Sequence, residues 1–227
     1  MQLNISGGMR FQTKQEFVYH TLRDAIIRCE VKPGTRLVIE DIAQRLSVSP
    51  IPVREALQLL QSERLVESVP HIGATVAHIS ESSVSEVFTI MEGLEVISTR
   101  VATQKMTKDD QAELTTIVQK MDAALENNDQ KSWVELNKQM HDTIARVAGM
   151  PMLQEMLQRV LTHWARLRHF YFEGGLANRI SQAQQEHHTM LQHMLAHDYD
   201  ALENFIKSHN QNALATYKEY LSNRQDK

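Results

Sequence analysis

Cysteine is nearly missing from this 227-residue chain: Cys29 stands alone, so no intramolecular disulfide can form. Such usage fits a reducing cytoplasm, which is the expected location. A basic excess is missing as well. The 24 Lys and Arg are outnumbered by 28 Asp and Glu, giving a formal charge of −4, so bulk charge alone does not mark a nucleic-acid binder. Long apolar runs are lacking at the N-terminus, where Met1 to Met9 also carries no charged side chain. That stretch reads as neither a signal peptide nor a membrane span, and no membrane partner is expected. With Gly7 and Gly8, residues 1–9 read as a disordered tail, and Met9 is a second candidate start. Repeats and low-complexity tracts are absent, which sets aside solenoids and linkers.

What remains is a chain of ordinary globular composition, long enough for one large domain or two small ones. Its charge is unevenly spread. Residues 10–79 hold nine basic and eight acidic side chains, and the other residues hold fifteen and twenty. That excess is too small to carry a conclusion; the pattern of elements sets the expected division at residues 10–79 and residues 80–227. Helical periodicity dominates both. In the first, Val18, Leu22, Ala25 and Ile26 share one helix face, and Lys32-Pro33-Gly34 ends the segment. A short helix follows over Glu40–Leu46. Ser47-Val48-Ser49 breaks it, with Ser49 placed to cap a third helix whose inward face is Val53, Ala56, Leu57 and Leu60. Pro50 and Pro52 fall in that helix's first turn, where backbone N–H groups lack partners in any case. Leu65–Val69 and Ala74–Ala77 form short β-like runs joined by Pro70-His71-Ile72-Gly73, a hairpin with glycine at a turn position. Three small helices and a hairpin predict a winged helix-turn-helix with a small β-hairpin wing.

Beyond Ser80 only helical patterns occur, near 81–104, 108–126, 130–148, 151–172, 179–197 and 200–222. Thr107 and Asp110 resemble a capping box. Asn127-Asn128-Asp129, Gly174-Gly175 and His197-Asp198 mark breaks. The spacing predicts a C-terminal antiparallel all-helical bundle and a mainly α protein.

Two constellations carry chemistry. On the third helix Arg54, Gln58 and Gln61 lie away from the core stripe at i, i+4, i+7. Arginine pairs bidentately with guanine and glutamine with adenine, so this face can read a major groove. Taken singly, such residues are also what any solvated helix surface carries. The second constellation is histidine. Asn137 and His141 stand at i, i+4, and His187 and His209 lie eleven residues either side of the Asp198 turn. Residues equidistant from a turn in an antiparallel pair sit at the same height. Three imidazoles and one oxygen suit Zn²⁺, Ni²⁺ or another divalent metal ion with a position open to ligand. Eight histidines lie in this acidic half, and hydrogen-bonded core histidines are the commoner outcome of such spacing.

Residues 19–79 resemble the GntR family of regulators through three spaced stretches: Lys32-Pro-Gly-Thr-Arg-Leu37, Ser49 to Leu57, and Pro70-His-Ile-Gly-Ala-Thr-Val76. The resemblance implies that Arg36 contacts phosphate, that Arg54 reads a base, and that the wing around His71 and Gly73 approaches the minor groove. Ser49, Pro50, Ile51 and Gln58 complete the expected DNA-facing set. The chain departs from the family pattern at Pro50-Ile51, where Arg-Thr is frequent, at Ile72, where Arg is common, and at Arg64, which replaces a usual Gly. Fewer positive charges facing DNA imply a weaker electrostatic grip and a different operator.

Residues 80–222 are similar to the FCD ligand-binding domain of the FadR subfamily, through the Glu95 region, Asn137-Lys-Gln-Met-His141, Glu186-His187 and His209. In metal-binding members three His and an Asp hold the ion, and a carboxylate metabolite completes its coordination. Asn137 occupies the Asp position, so its amide oxygen brings no charge. Met91 stands where Arg often precedes the Leu-Glu of the first helix. The resemblance implies a ligand-responsive regulator, a repressor as is commoner in the family, with a small carboxylate metabolite as effector. A homodimer on a palindromic operator follows because one helix-turn-helix reads only a few base pairs. Two other readings stay open. One is a metal-dependent enzyme on the C-terminal His cluster, activating water, though no general base stands beside the histidines and the N-terminal motif would go unexplained. The other is a helical interaction domain with no ligand, in which Trp133, Trp164, Phe170, Tyr171 and Phe172 are core or interface material.

Overall fold

The computed structural model of the chain describes residues 13–172 and 177–225. The proposed tail over residues 1–9 and the Gly174-Gly175 break lie outside them. By internal contacts the chain forms two compact units, the first ending at Ser80 and gaining the part of the helix Pro151–Phe172 from Thr162 onward.

The first unit runs α1 (Lys14–Ile27), α2 (Ile39–Leu46), α3 (Pro50–Ser62), β1 (Val66–Val69) and β2 (Gly73–Val76). Its core gathers the stripes that the periodicity predicts: Val18, Leu22 and Ile26 of α1, Ile42 and Leu46 of α2, Val53, Leu57 and Leu60 of α3. Leu65, Val66 and Val76 close it from the hairpin. The end of α1 differs from expectation. Helix α1 stops at Ile27, and Cys29 takes a left-handed φ of 56° before Lys32-Pro33-Gly34 is reached. Ser47, also left-handed at φ 55°, ends α2 and turns the chain into α3. Ser49 occupies the N-cap of α3 in extended geometry, as a residue before proline must, yet its hydroxyl makes no capping bond. Pro50 and Pro52 lack N–H groups, so two of the four donors that a helix start normally offers do not exist here.

Strands β1 and β2 pair antiparallel, with Val66 opposite Val76 and Val69 opposite Gly73. A third extended segment joins them, which the sequence reading omitted. Leu37 N–H donates to Ala74 O at 2.8 Å, Gly34 N–H to Val76 O at 2.8 Å, and Val76 N–H to Thr35 O at 2.9 Å. Arg36 is thereby fixed opposite Thr75 at the root of the wing.

At the other end of α3, Arg64 N–H reaches Gln61 O at 2.9 Å and Leu65 N–H reaches Leu60 O at 3.0 Å. These are the paired bonds of a Schellman close, which places the residue after the cap in the left-handed region. That residue is Arg64, at φ 58°, and the geometry explains why glycine is usual there. Arg64→Gly should therefore raise stability by about 0.5–1 kcal/mol, since relief of Cβ strain exceeds the extra entropy of an unfolded glycine. Urea melts of the two proteins at equal slope test this; a lower midpoint for the glycine variant would show that the Arg64 side chain contributes more than the strain costs.

The second unit contains α4 (Glu81–Lys105), α5 (Lys108–Glu126), α6 (Gln130–Ala148), the start of α7 (Pro151–Phe172), α8 (Ala177–Ala196) and α9 (Tyr199–Gln225). Helix ends follow local chemistry. Thr107 and Asp110 form the expected box, with Thr107 Oγ1 accepting from Asp110 N–H at 3.2 Å and Asp110 accepting from Thr107 N–H at 2.9 Å. Asp129 caps α6 through Ser132 N–H at 3.0 Å, and Asp198 caps α9 through Ala201 N–H at 3.1 Å. Helix α4 packs against α6, α8 and α9, and α5 against α6 and α8. The inward faces of α4, α6, α8 and α9 thus surround one region. Among the described residues no helix is long and apolar enough to cross a membrane.

Candidate functional site

In the first unit Arg36, Ser49, Pro50, Ile51, Arg54, Gln58, His71 and Gly73 are all exposed, and Gln61 is half-buried. Ile51 is 67% exposed and Ile72 is 46% exposed, values that no core requirement explains. Ile51 projects from the first turn of α3, one turn before Arg54. Ile72 follows His71, which adopts a left-handed φ of 64° at the tip of the wing. An exposed helix face bearing Arg54 and Gln58 has the chemistry to read base edges. An exposed aliphatic group on the first turn can pack on a thymine methyl.

In the second unit the structure brings the histidines together. The His187 ring lies with its centroid 5.4 Å from that of His209 and 5.9 Å from that of His141. Trp133 of α6 lies against the His187 ring at 5.8 Å, and its indole N–H is held by Gln184 at 2.9 Å. Asn137 is buried one turn before His141.

Carboxylates orient two of the three rings. His141 Nδ1 sits 3.0 Å from Glu95 of α4, and His209 Nδ1 sits 2.6 Å from Glu186 of α8. With Nδ1 engaged, Nε2 of each ring is left to point elsewhere, which is how outer-shell carboxylates orient metal-binding imidazoles. Asn210 donates to the other Glu95 oxygen at 2.8 Å, and Arg179 pairs with Glu186 at 2.6 Å. His187 differs: it is 1% exposed and neither ring nitrogen has a partner. Buried polar groups are nearly always satisfied, so an orphan pair of this kind asks for an explanation.

The charges follow from this packing. Burial pushes the His187 pKa well below its ordinary value, and the neighbouring His209, His141 and Arg179 charges push the same way, so the ring is neutral. Burial also disfavours a charged His141, but the adjacent Glu95 carboxylate outweighs it and raises the His141 pKa. Glu95 is lowered in turn: burial opposes this, and the His141 charge and hydrogen bond overcome it. Glu186 falls to about 2, because hydrogen bonds from His209 and Arg179 outweigh its burial.

The donor set suits a divalent ion on two grounds: neutral orphaned nitrogen on His187, and carboxylate-oriented rings on either side. Among the described residues no three His, Cys, Asp or Glu side chains already stand at metal-holding spacing. Imidazoles sharing one ion at ~2.1 Å have centroids roughly 5 Å apart. The observed 5.4 and 5.9 Å are slightly wider. The sequence resemblance includes Glu95 and Glu186 in its matched stretches without giving them a role, and it misses Arg179 and Asn210. Their one signal is position: Arg179 lies two turns before Glu186 on α8, and Asn210 directly follows His209.

A three-helix head with a β wing and an all-helical unit with a buried polar centre make up the architecture of a DNA-binding transcriptional regulator, and the family comparisons agree. The sequence matches the helix-turn-helix of the bacterial regulatory proteins of the gntR family over residues 14–76, and the FCD domain over residues 86–212. The chain belongs to the GntR family, in its FCD-containing, FadR-like branch. It is similar to the HTH-type transcriptional regulator McbR of Escherichia coli K12, 26% identical over 95% of this chain and 98% of that protein. It is also similar to the HTH-type transcriptional repressor RspR of the same organism, 24% identical over 87% of this chain and 86% of that one. Among solved structures, E. coli McbR/YncC superposes with a TM-score of 0.73 over 92% of this chain and 99% of that chain, at 24% identity. A GntR regulator from Rhodococcus sp. RHA1 gives 0.70 over 91% and 98%, at 22% identity. The family matches make the chain a transcriptional regulator and set aside the enzyme reading.

Proposed function

We propose that this protein is a cytoplasmic, ligand-responsive repressor that binds a palindromic operator as a homodimer. Its helical unit takes a small carboxylate metabolite, together with a divalent metal ion, zinc or nickel. The observation that carries the effector half is the buried His187 ring with both nitrogens unpartnered between two carboxylate-oriented imidazoles. His141, His187 and His209 would hold the ion through nitrogen and Asn137 through its amide oxygen. A bound ion supplies a Lewis-acid position at which a carboxylate completes the coordination. On the DNA side, Arg54 and Gln58 face base edges, Ile51 a thymine methyl, and Arg36 with Ser49 the phosphates. Repression follows the names of relatives such as RspR. Two-fold pairing follows from the few base pairs that one exposed α3 face can cover.

The test uses untagged full-length protein and the DNA flanking its own gene. Sedimentation should give a dimeric mass, footprinting should protect two half-sites about one helical turn apart, and elemental analysis should find one zinc or nickel per chain. Equal affinity for operator and scrambled DNA would remove the specific-regulator reading. A protein that binds DNA specifically but takes up no metal, with a melting temperature indifferent to added ions, would leave a helical domain without this site.

A further inference from the structure

Arg179 of α8 is nine-tenths buried and uses only part of its guanidinium. Its Nη2 donates to Glu186 at 2.6 Å and lies 3.4 Å from the His209 carbonyl. Its Nη1 is buried and has no acceptor. A guanidinium is a fixed fork of five N–H donors that cannot lose its charge, so an unused buried prong is a standing cost unless an anion meets it. Glu186 does more than neutralise this arginine. The same carboxylate oxygen accepts from His209 Nδ1 at 2.6 Å, so Arg179 and the imidazole centre are fixed by one shared group.

We propose that Arg179 is the carboxylate anchor of the effector site, and that the site selects a small monocarboxylate over a dianion. The proposal rests on the effector reading above. The first part follows from geometry: the unused prong belongs to the side chain that shares Glu186 with His209, and guanidinium–carboxylate pairing is the strong, oriented form of anion recognition. The second part follows from charge. With the imidazoles neutral, as ligands to an ion must be, Glu95, Glu186 and Arg179 leave the buried centre one unit negative. A divalent ion would turn this to one unit positive, because Asn137 contributes no charge. A monocarboxylate cancels that unit, whereas a dianion would leave an uncompensated buried charge, which is costly.

Calorimetry and thermal melts on the full-length protein, with and without zinc, test both parts. The probes are acetate, its neutral analogue acetamide, and malonate, at constant ionic strength. Wild-type protein should bind acetate more tightly than malonate and give no signal with acetamide. Arg179→Gln should lose acetate affinity by about tenfold or more while zinc affinity stays within about threefold, and Arg179→Lys should fall between. A folded Arg179→Gln that binds acetate like wild type overturns the anchor, and so does an Arg179→Lys variant equal to wild type if the glutamine variant does not fold. Tighter binding of malonate than acetate overturns the charge argument. If the wild type takes no zinc but acetate binding still depends on Arg179, the anchor stands and the metal part of the effector reading falls. If neither zinc nor acetate binds, both fall.

Discussion

Arg54→Ala should abolish specific operator recognition while leaving the fold intact. Arg54 is exposed on α3 and lies outside the core stripe of Val53, Leu57 and Leu60, so truncation removes no packing. A bidentate arginine–guanine pair is worth about 1–3 kcal/mol of discrimination, and the proposed two-fold complex would lose it twice. The expected drop is about 30-fold to 10⁴-fold on the operator, with little change on unrelated DNA. Arg36→Ala should behave differently. Arg36 is fixed at the root of the wing and is proposed to meet phosphate, so its loss should weaken binding to every sequence alike and shallow the salt dependence. Gel shifts of both variants on operator and scrambled duplexes, at two salt concentrations, separate the roles. An Arg54→Ala protein that keeps its preference would move base reading to Gln58, Ile51 or the wing.

The second large effect concerns the imidazole centre. His187→Ala should lower zinc affinity on the order of 100-fold or more, since loss of even an outer-shell partner costs 10–100-fold. His187 makes no hydrogen bond, so the variant forfeits packing against Trp133 but breaks no polar network. Asn137→Asp should do the reverse and tighten zinc, by restoring a charged oxygen ligand. Zinc affinity should also fall as pH drops. Glu95 keeps His141 protonated to higher pH than an ordinary imidazole, and an ion competes with that proton for the ring. Competitive titration with a zinc chelator at pH 6 and pH 8 checks all three. Zinc affinity unchanged by His187→Ala, or independent of pH, would remove these rings from the ligand set.

How much of this was legible in the sequence depends on the length scale of each contact. Helix positions followed from apolar spacing, from the Thr107 cap, whose partner lies three residues away, and from breaks such as Asn127-Asn128-Asp129. The juxtaposition of His187 and His209 followed from their equal distance to the Asp198 turn, a property of antiparallel helices and not of histidine. What stayed hidden was set by tertiary packing. The Glu95–Asn210 bond spans 115 residues, and no local pattern announces it. The strand-like segment at Arg36 is too short to show a period. The silent hydroxyl of Ser49 shows that a residue type suited to capping need not cap.

That silent hydroxyl and the two prolines beside it bear on how the protein finds its site in a cell. A recognition helix that starts with Pro50 and Pro52 presents fewer backbone donors to the phosphate chain, and Ile72 adds no charge at the wing. Weaker attraction to arbitrary sequence would leave fewer molecules idle along the chromosome and a larger share free to reach the operator. A low copy number would then suffice for occupancy, with base contacts supplying the preference for the operator and phosphate contacts a smaller share of the affinity.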